Sequence, residues 1–290
     1  MTRTILGILG GSGVYDMALD GAREQRIASP WGEPSDALRI GQIAGVDVVF
    51  LSRHGRGHRL APSDINYRAN IDALKRAGVT DVISVSACGS LKENLAPGTF
   101  VLVDQFIDRT YARAKSFFGA GFVAHVSMAQ PVCPKLADAL EQAARAENIP
   151  CHNGGIYLAM EGPQFSSLAE SNLYRSWGCD VIGMTNMPEA KLAREAELPY
   201  ASVAMVTDYD CWRSDVAAVE VTKVLRILRD NADKAGALIR RVAPLLGPER
   251  LPSPLGIETV LDFAIITAPE ARDPALIAKL DAVAGRVLKA

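Results

Sequence analysis

The densest group of residues capable of chemistry is the run RHGRGH at 53–58, which directly follows an apolar run ending near Ser52. Four of its six residues are cationic or can become so, and glycines lie between them. Such a loop suits a phosphate or carboxylate ligand, because the planar fork of an arginine matches the geometry of an oxyanion. A solvated basic loop is the alternative, and these residues alone do not decide between the two.

Two runs of small residues add candidates for the same ligand, GGSG at 10–13 and SACGS at 86–90. Glycine lets backbone N–H groups approach an anion closely, and Ser12 and Ser86 carry hydroxyl groups. The first run matches neither G-x-G-x-x-G nor the P-loop pattern, so a plain turn remains open, and the second could be tight packing. Ligands of open α/β sheets bind where strands open into loops, so three such strand ends favour one shared anion site.

A pair of carboxylates forms the fourth candidate, in the run TDYD at 207–210, where Asp208 and Asp210 lie two residues apart. Such a pair could bind a metal, serve in acid–base catalysis or form a polar turn. A metal would need further ligands, and no histidine lies nearby in the sequence. Acid catalysis fits better, because desolvation and a neighbouring carboxylate both favour the protonated form.

The apolar runs before these loops belong to an alternating pattern of strands and helices. Several of them are apolar at consecutive positions, as expected for strands covered on both faces. We predict a three-layer α/β sandwich around a mixed β-sheet. The predicted strands are Thr4–Leu9, Val46–Ser52, Val82–Ser86, Phe100–Gln105, Gly155–Met160, Val181–Met184 and Tyr200–Val206. The predicted helices are Asn66–Ala77, Lys135–Glu147, Leu168–Trp177, Glu189–Ala196 and Ala217–Val242.

A segment rich in proline and glycine, LGPERLPSPLG at 246–256, separates the main body from the C-terminal residues. We expect residues 1–250 to form a single domain and residues 251–290 to form a helical appendage docked on it. Asp273 before Pro274 predicts the start of a helix. One apolar face of that helix consists of Leu276, Leu280, Val283 and Val287.

Composition narrows the class of partner. The 290 residues carry a net charge of −2, which offers no basic surface for nucleic acid. No apolar stretch approaches the length needed to span a membrane, and no signal-peptide pattern occurs at the start. The five cysteines are scattered without a C-x-x-C pair, which indicates reduced thiols and predicts a cytoplasmic protein.

Taken together, these motifs resemble the trimeric purine nucleoside phosphorylases, and within them the branch that acts on methylthioadenosine. The matching stretches occur in order from Gly7 to about Leu245, more than four fifths of the chain. The combination is specific, although no single stretch is, and the segment after about Pro252 matches poorly. The stretches are GILGGSG, LSRHGRGHRLAPSDINYRANIDALK, SACGSL, PGTFVLVDQFIDRT, MEGPQFSSLAES, MTNMPEAKLAREA and ASVAMVTDYDCW.

The resemblance implies a fold and a role for each matching residue. The central sheet would be partly barrel-like, as in the nucleoside phosphorylases. Phosphate would be bound by Ser12, Arg53, His54, Ser86, Ala87 and Thr185. The ribose and base would be bound by Met184, Phe165, Ser166, Asp208 and Asp210. The group at the 5′ carbon would contact Val221, Leu225 and, from a neighbouring subunit, His125.

Several of these assignments depend on the motif match alone. Phe165, Met184, Val221 and Leu225 are residue types found in any core, and His125 by itself reads as an ordinary structural histidine. Asp208 carries more information, because the related enzymes for 6-oxopurines have asparagine at the matching place. A carboxyl group there can protonate N7 and accept from a 6-amino group, so it points to adenine-type bases.

The resemblance implies phosphorolysis of S-methyl-5′-thioadenosine to adenine and 5-methylthio-ribose 1-phosphate, in methionine and purine salvage. Phosphate is then a co-substrate, no metal or organic cofactor is expected, and the protein would be a homo-oligomer, a trimer or a dimer of trimers. Three alternatives remain at this stage. They are a phosphorylase for methylthioinosine, adenosine or 6-oxopurine nucleosides, a hydrolase that uses water, and a nucleoside sensor without turnover.

Overall fold

A branched, mixed β-sheet forms the centre of the protein. A computed structural model describes residues 3–11, 17–213 and 221–288, and these contain eleven strands and seven α-helices. The strands are β1 (Ile5–Gly10), β2 (Asp20–Gln25), β3 (Leu38–Ile43), β4 (Val46–Ser52), β5 (Asp81–Ser90), β6 (Phe100–Val103), β7 (Gln105–Asp108), β8 (Cys151–Asn153), β9 (Ile156–Ala159), β10 (Val181–Gly183) and β11 (Tyr200–Asp208). The helices are α1 (Tyr67–Arg76), α2 (Pro134–Ala146), α3 (Leu168–Ser176), α4 (Asn186–Glu195), α5 (Val221–Leu246), α6 (Pro274–Lys279) and α7 (Gly285–Leu288).

Strand β5 is the point at which the sheet branches. It pairs in parallel with β1 over residues 81–84 and with β11 along most of its length, and antiparallel with β10 near Ser90. From β11 the pairing continues to β6, and Asp104 alone separates β6 from β7, which pairs with β9 and through it with β10. The path therefore returns to β5, and the prediction of a mixed, partly barrel-like sheet is confirmed.

Helices cover the sheet on both sides, which confirms the three layers. Leu74 of α1 and Leu192 of α4 belong to one buried apolar cluster. Leu140 of α2 and Leu238 of α5 belong to a second buried apolar cluster. The strand residues of this cluster point to the opposite face of the sheet. Because both faces are buried, the central strands are apolar at nearly every position.

The carboxyl ends of the parallel strands meet at one edge of the sheet. In β1 and β4, Gly10 is paired with Ser52, and Leu9 of β1 is paired with Ser84 of β5. The first residue after β4, Arg53, donates its backbone N–H to the carbonyl of Gly10 at 2.9 Å. This edge therefore gathers the loops that the sequence singled out.

Strands β2, β3, β7 and β8 were missing from the prediction. Strand β2 has the sequence DGAREQ, every residue of which is exposed, so no apolar pattern marks it. It becomes a strand because its backbone pairs with β3 at the edge of the sheet. The other seven strands were predicted within a few residues of their observed bounds, as were the first four helices of the main body and the end of α5. The predicted start of that last helix, Ala217, lies outside the described residues.

The C-terminal residues form two short helices where one was predicted. The Asp273 carboxylate accepts the backbone N–H of Ala275 at 2.8 Å and caps α6 as expected. The helix ends at Lys279, and α7 begins only at Gly285. The bend between them allows Leu280 and Val283 both to be buried in the cluster that α1 and α4 share.

All five cysteines are free thiols. Within the described ranges, no helix is long and apolar enough to cross a membrane.

Candidate active site

A cavity of about 320 Å³ opens at the edge of the sheet where β1, β4, β5 and β11 end. It brings together residues that lie as far apart in the sequence as Gly11 and Leu228. It is lined by Gly11, Arg53, His54, His58, Pro62, Val85, Ser86, Ala87, Cys88, Gly89, Met160, Phe165, Ile182, Gly183, Met184, Thr185, Met205, Thr207, Asp208, Asp210, Cys211 and Leu228.

Most of the predicted phosphate ligands lie on the wall of this one cavity. These are Arg53, His54, Ser86, Ala87 and Thr185. Ser12 lies outside the described residues, although Gly11 immediately before it is part of the wall. Thr185 occupies the N-cap position directly before α4, but its side chain makes no capping hydrogen bond.

Arg53 is almost fully enclosed, with 1% of its surface exposed. Its Nε donates to Glu189 Oε2 at 2.6 Å, and its Nη2 donates to Glu189 Oε1 at 3.0 Å. Further contacts join Nη2 to the Leu9 carbonyl and the Ser84 hydroxyl, and Nη1 to the Val85 carbonyl. One Nη1 hydrogen has no acceptor in the described part of the chain. Arg53 therefore offers the cavity less than the open two-pronged fork that the sequence suggests.

His54 is a neutral side chain at pH 7. Burial is the main reason that its pKa falls to about 4, and the nearby Arg53 cation lowers it further. Its Nδ1 lies 2.9 Å from the Leu60 carbonyl, which can only accept, so Nδ1 carries the ring proton. The ring stacks on His58 with 4.2 Å between the ring centres.

Asp208 closes β11 with both carboxyl oxygens engaged. Oδ1 accepts the backbone N–H of Asp210 at 2.8 Å, and Oδ2 lies 2.7 Å from the hydroxyl of Thr207. Burial raises the pKa of Asp208, although these two hydrogen bonds oppose the rise. Burial also raises the pKa of Asp210, and there the charge of Asp208 adds to the effect. Desolvation is thus the main cause of the raised pKa that the sequence analysis expected at Asp208.

The predicted base and ribose residues are placed around the same cavity. Phe165 and Met184 line it, and 76% of the Phe165 surface is exposed. Ser166 is buried next to the wall, where its hydroxyl lies 3.7 Å from Met160 Sδ. Its carbonyl accepts from Cys211 Sγ at 3.3 Å.

The structure places only some of the residues that were predicted to contact the 5′ group. Val221 and Leu225 belong to α5, but their side chains lie outside the described residues. Leu228, three positions after Leu225, lines the cavity from the same helix. His125 does not reach the cavity of its own chain and instead lines a separate pocket beside Lys191 and Glu195.

Sequence reasoning missed a buried arginine that holds the walls of the cavity in place. The Nη1 of Arg113 donates to the carbonyls of Met184 and Met187, and its Nη2 donates to the carbonyl of Glu161 at 2.6 Å. The Glu161 carboxylate in turn accepts the backbone N–H of Tyr111. Nothing in the local run RTYARAK distinguishes this arginine from an exposed one.

Other lining residues missed by the sequence analysis lie next to predicted ones. Thr207 precedes Asp208, and Met205 lies two residues earlier on the same face of β11. Alternation of side chains along the strand would have placed both on the face opposite to Asp208. A register shift of β11 against β5 between Val206 and Asp208 brings them to the same cavity as Asp208. The helical spacing from Leu225 could have identified Leu228.

Comparison with known proteins agrees with this geometry. The model of the phosphorylase superfamily matches residues 5–244. The chain is 64% identical over all 290 residues to the S-methyl-5′-thioadenosine phosphorylase of Bradyrhizobium diazoefficiens, covering 100% of both chains. It is 59% identical to the enzyme of the same name from Cereibacter sphaeroides, covering 99% of each.

Solved structures give the same result. A methylthioadenosine phosphorylase from an antarctic soil metagenomic library superposes with a TM-score of 0.92 at 47% identity, covering 98% of this chain and 99% of that one. The methylthioadenosine phosphorylase of Schistosoma mansoni in complex with tubercidin superposes with a TM-score of 0.81 at 38% identity, covering 88% and 95%.

Proposed function

The chain belongs to the phosphorylase superfamily, and from that premise we propose that it cleaves S-methyl-5′-thioadenosine with inorganic phosphate. The products are adenine and 5-methylthio-ribose 1-phosphate. The observation that carries the proposal is that one cavity contains both a half-buried carboxyl group with a raised pKa, Asp208, and the polar set Arg53, His54, Ser86 and Thr185. The carboxyl group suits a departing base. In the polar set, Arg53 and the Thr185 hydroxyl can donate to an oxyanion, whereas the neutral His54, protonated at Nδ1, can accept at Nε2 from a ribose hydroxyl.

The chemistry follows from the charges that cleavage creates. Breaking the N-glycosidic bond builds positive charge at C1′ and negative charge on the base. Phosphate stabilises the first charge and then bonds to C1′, while protonated Asp208 donates its proton to N7 and neutralises the second. Desolvation favours the protonated carboxyl group that this step requires. Every charge is matched by phosphate or by the chain's own residues, so we propose that the reaction uses no metal and no organic cofactor.

Base selection rests on the same carboxyl group. When one oxygen of Asp208 carries the proton for N7, the other can accept from a 6-amino group. A 6-oxo group has no hydrogen to donate there. We therefore assign the site to adenine-type bases, with Asp210 close behind Asp208 and Phe165 and Met184 against the ring and the ribose.

Apolar residues of α5 select the group at the 5′ carbon. Leu228 lines the cavity, and Val221 and Leu225 belong to the same helix. A methylthio group fits an apolar wall, whereas a hydroxyl group would lose its hydrogen-bond partners there. Losses of that kind discriminate strongly between substrates.

We further propose that the active form is a cytoplasmic homo-oligomer, a trimer or a dimer of trimers, in which His125 completes the 5′ pocket of a neighbour. Two observations support the oligomer. His125 lies outside its own cavity, and its backbone N–H donates to Ala264, next to the exposed side chains Phe263 and Ile266. Apolar side chains exposed together mark association surfaces.

A nucleoside panel tests the function. The purified protein is incubated with S-methyl-5′-thioadenosine, methylthioinosine, adenosine and inosine, with and without phosphate, and free base and sugar phosphate are measured. We expect base release only with phosphate, fastest for S-methyl-5′-thioadenosine. Equal release without phosphate would indicate a hydrolase, and binding without any release would indicate a sensor.

A further inference from the structure

Five buried side chains form a continuous chain of hydrogen bonds behind the proposed phosphate subsite. Arg53 is paired with Glu189, whose Oε1 accepts the Tyr200 hydroxyl at 2.9 Å. Tyr200 Oη accepts from Asn186 Nδ2 at 3.0 Å, and Asn186 Oδ1 accepts the Ser86 hydroxyl at 2.9 Å. The two ends of the chain line the cavity, and the three residues between them lie behind its wall.

The direction of each hydrogen bond follows from the chemistry of Glu189. An ionised carboxylate only accepts, so the single hydrogen of the Tyr200 hydroxyl points toward Glu189. The oxygen of Tyr200 must then receive a donor, which orients the amide of Asn186 with its nitrogen toward Tyr200. The amide oxygen consequently faces Ser86 and takes its hydroxyl hydrogen.

Further contacts leave these groups little freedom to rotate. The amide nitrogen of Asn186 also donates to the Ser202 hydroxyl. The remaining Arg53 contacts, to two carbonyls and a serine hydroxyl, hold the guanidinium plane. A buried ion pair of this kind adds little net stability, because desolvation offsets the attraction between the charges. Its effect on the geometry of the site is therefore the more useful guide to its role.

We propose that Glu189 is the positioning residue of the phosphate subsite. It aims Arg53 directly, so that one Nη1 hydrogen is left for the ligand. Through Tyr200 and Asn186 it also turns the Ser86 hydroxyl hydrogen away from the cavity, so that the Ser86 oxygen faces the ligand as an acceptor for the P–OH hydrogen of the phosphate dianion. One carboxylate, which does not itself line the cavity, thereby couples the two sides of the subsite. The inference rests on the proposed function, because it takes phosphate as the ligand of Arg53 and Ser86.

Tyr200→Phe tests the proposal with a small structural change, because it removes one oxygen atom and leaves the ion pair between Arg53 and Glu189 in place. We expect the phosphate KM to rise about 2- to 10-fold, the range for losing one hydrogen bond, while the nucleoside KM changes less than about twofold. Tyr174→Phe is the matched control, since Tyr174 is also buried but lies in a separate apolar cluster. It should leave both constants unchanged.

A double-mutant cycle separates positioning from a general loss of structure. If Tyr200 acts through Ser86, Tyr200→Phe should have little further effect on the phosphate KM in a Ser86→Ala background. An unchanged phosphate KM in Tyr200→Phe would overturn the proposal, as would equal rises in both KM values or full additivity with Ser86→Ala. Phosphate-independent base release by the unmodified protein would instead refute the proposed function, so the two failures are distinguishable.

Discussion

Arg113 donates a hydrogen bond of 2.5 Å to the main-chain carbonyl of Met184, the residue whose side chain lies against the proposed ribose position. The same guanidinium also holds the carbonyl of Glu161, the residue directly before Gly162. A methyl group placed on Gly162 would lie 2.5 Å from Met184 Sδ, so the two segments are in close contact. Arg113 therefore links the two parts of the wall that confine Met184.

The first prediction is that Arg113→Lys weakens nucleoside binding selectively. A lysine keeps the charge but cannot reach several carbonyls in one plane, so Met184 loses its fixed position. We expect the nucleoside KM to rise about tenfold or more, as for the loss of one or two charge-assisted hydrogen bonds, with the phosphate KM nearly unchanged. Steady-state kinetics with each substrate varied in turn, beside a measurement of Tm, checks this. A parallel rise in both KM values would contradict it.

The second prediction concerns Gly162 and has a matched control in Gly178. Both glycines have left-handed backbones, with φ of +70° and +83°, so alanine strains the backbone similarly at either position. Only at Gly162 does the added methyl group meet Met184, since nothing lies within 4 Å at Gly178. Gly162→Ala should raise the nucleoside KM, whereas Gly178→Ala should lower Tm alone. Equal kinetics in the two variants would show that Met184 is not confined in this way.

The third prediction is that Asp208→Asn changes the preference for the base. The asparagine amide offers an NH₂ donor in place of the acid proton, so activity on 6-amino nucleosides should fall about 10²- to 10⁴-fold. Activity on 6-oxo nucleosides should rise relative to activity on 6-amino nucleosides, because O6 can accept a hydrogen bond from that NH₂ group. Kinetics on S-methyl-5′-thioadenosine and inosine, with Tm measured in parallel, separates this from a structural role. A stable variant with unchanged rate and preference would remove Asp208 from the mechanism.

The fourth prediction is that sites are shared between subunits. If His125 completes a neighbour's site, mixing His125→Ala subunits with Asp208→Ala subunits should restore part of the activity, because some hybrid sites contain both native residues. The two variants carry different tags, so that subunit exchange is measured independently. Proven exchange without any recovery would assign His125 to a structural role in its own chain.

The fifth prediction concerns pH and stability. Glu195 accepts from the Ser116 hydroxyl and the Phe117 backbone, and burial raises its pKa to about 7. The folded protein thus binds a proton that the unfolded chain has released, so this group's contribution to stability falls as pH rises from about 4.5 to about 7.

Glu195→Gln cannot titrate. Its amide oxygen can still accept the Phe117 backbone N–H, and its NH₂ group can donate to the Ser116 hydroxyl once that hydroxyl rotates to accept. Relative to the unmodified protein, the variant's free energy of unfolding should therefore rise by up to about 3 kcal/mol between pH 4.5 and 7 and level off above pH 7. Its Tm relative to that of the unmodified protein should rise over the same pH range. His54, whose lowered pKa acts in the opposite direction between about pH 4 and 6.5, is present in both proteins and cancels. Parallel Tm curves across this pH range would mean that Glu195 does not titrate there.

The sequence by itself determined the fold class and the location of the site. Consecutive apolar residues mark strands buried on both faces, and the RHGRGH, SACGS and TDYD runs lie directly at their ends, so local pattern and tertiary position coincide. The edge strand β2 lies beyond such reasoning, because its polar residues become a strand only through backbone pairing with β3. The division of the C-terminal segment into two helices also depends on tertiary contacts, since a bend between α6 and α7 accompanies the burial of Leu280 and Val283.

Only the tertiary structure decided what each charged residue of the site can do. Arg53 reads in the sequence as an open fork for an anion, but Glu189, 136 positions later, occupies much of it. Arg113 reads as a surface residue and is instead buried among carbonyls from distant loops. Residue type and spacing reveal which groups can ionise, whereas hydrogen-bond partners and burial depend on contacts between segments far apart in the chain, which no local pattern records.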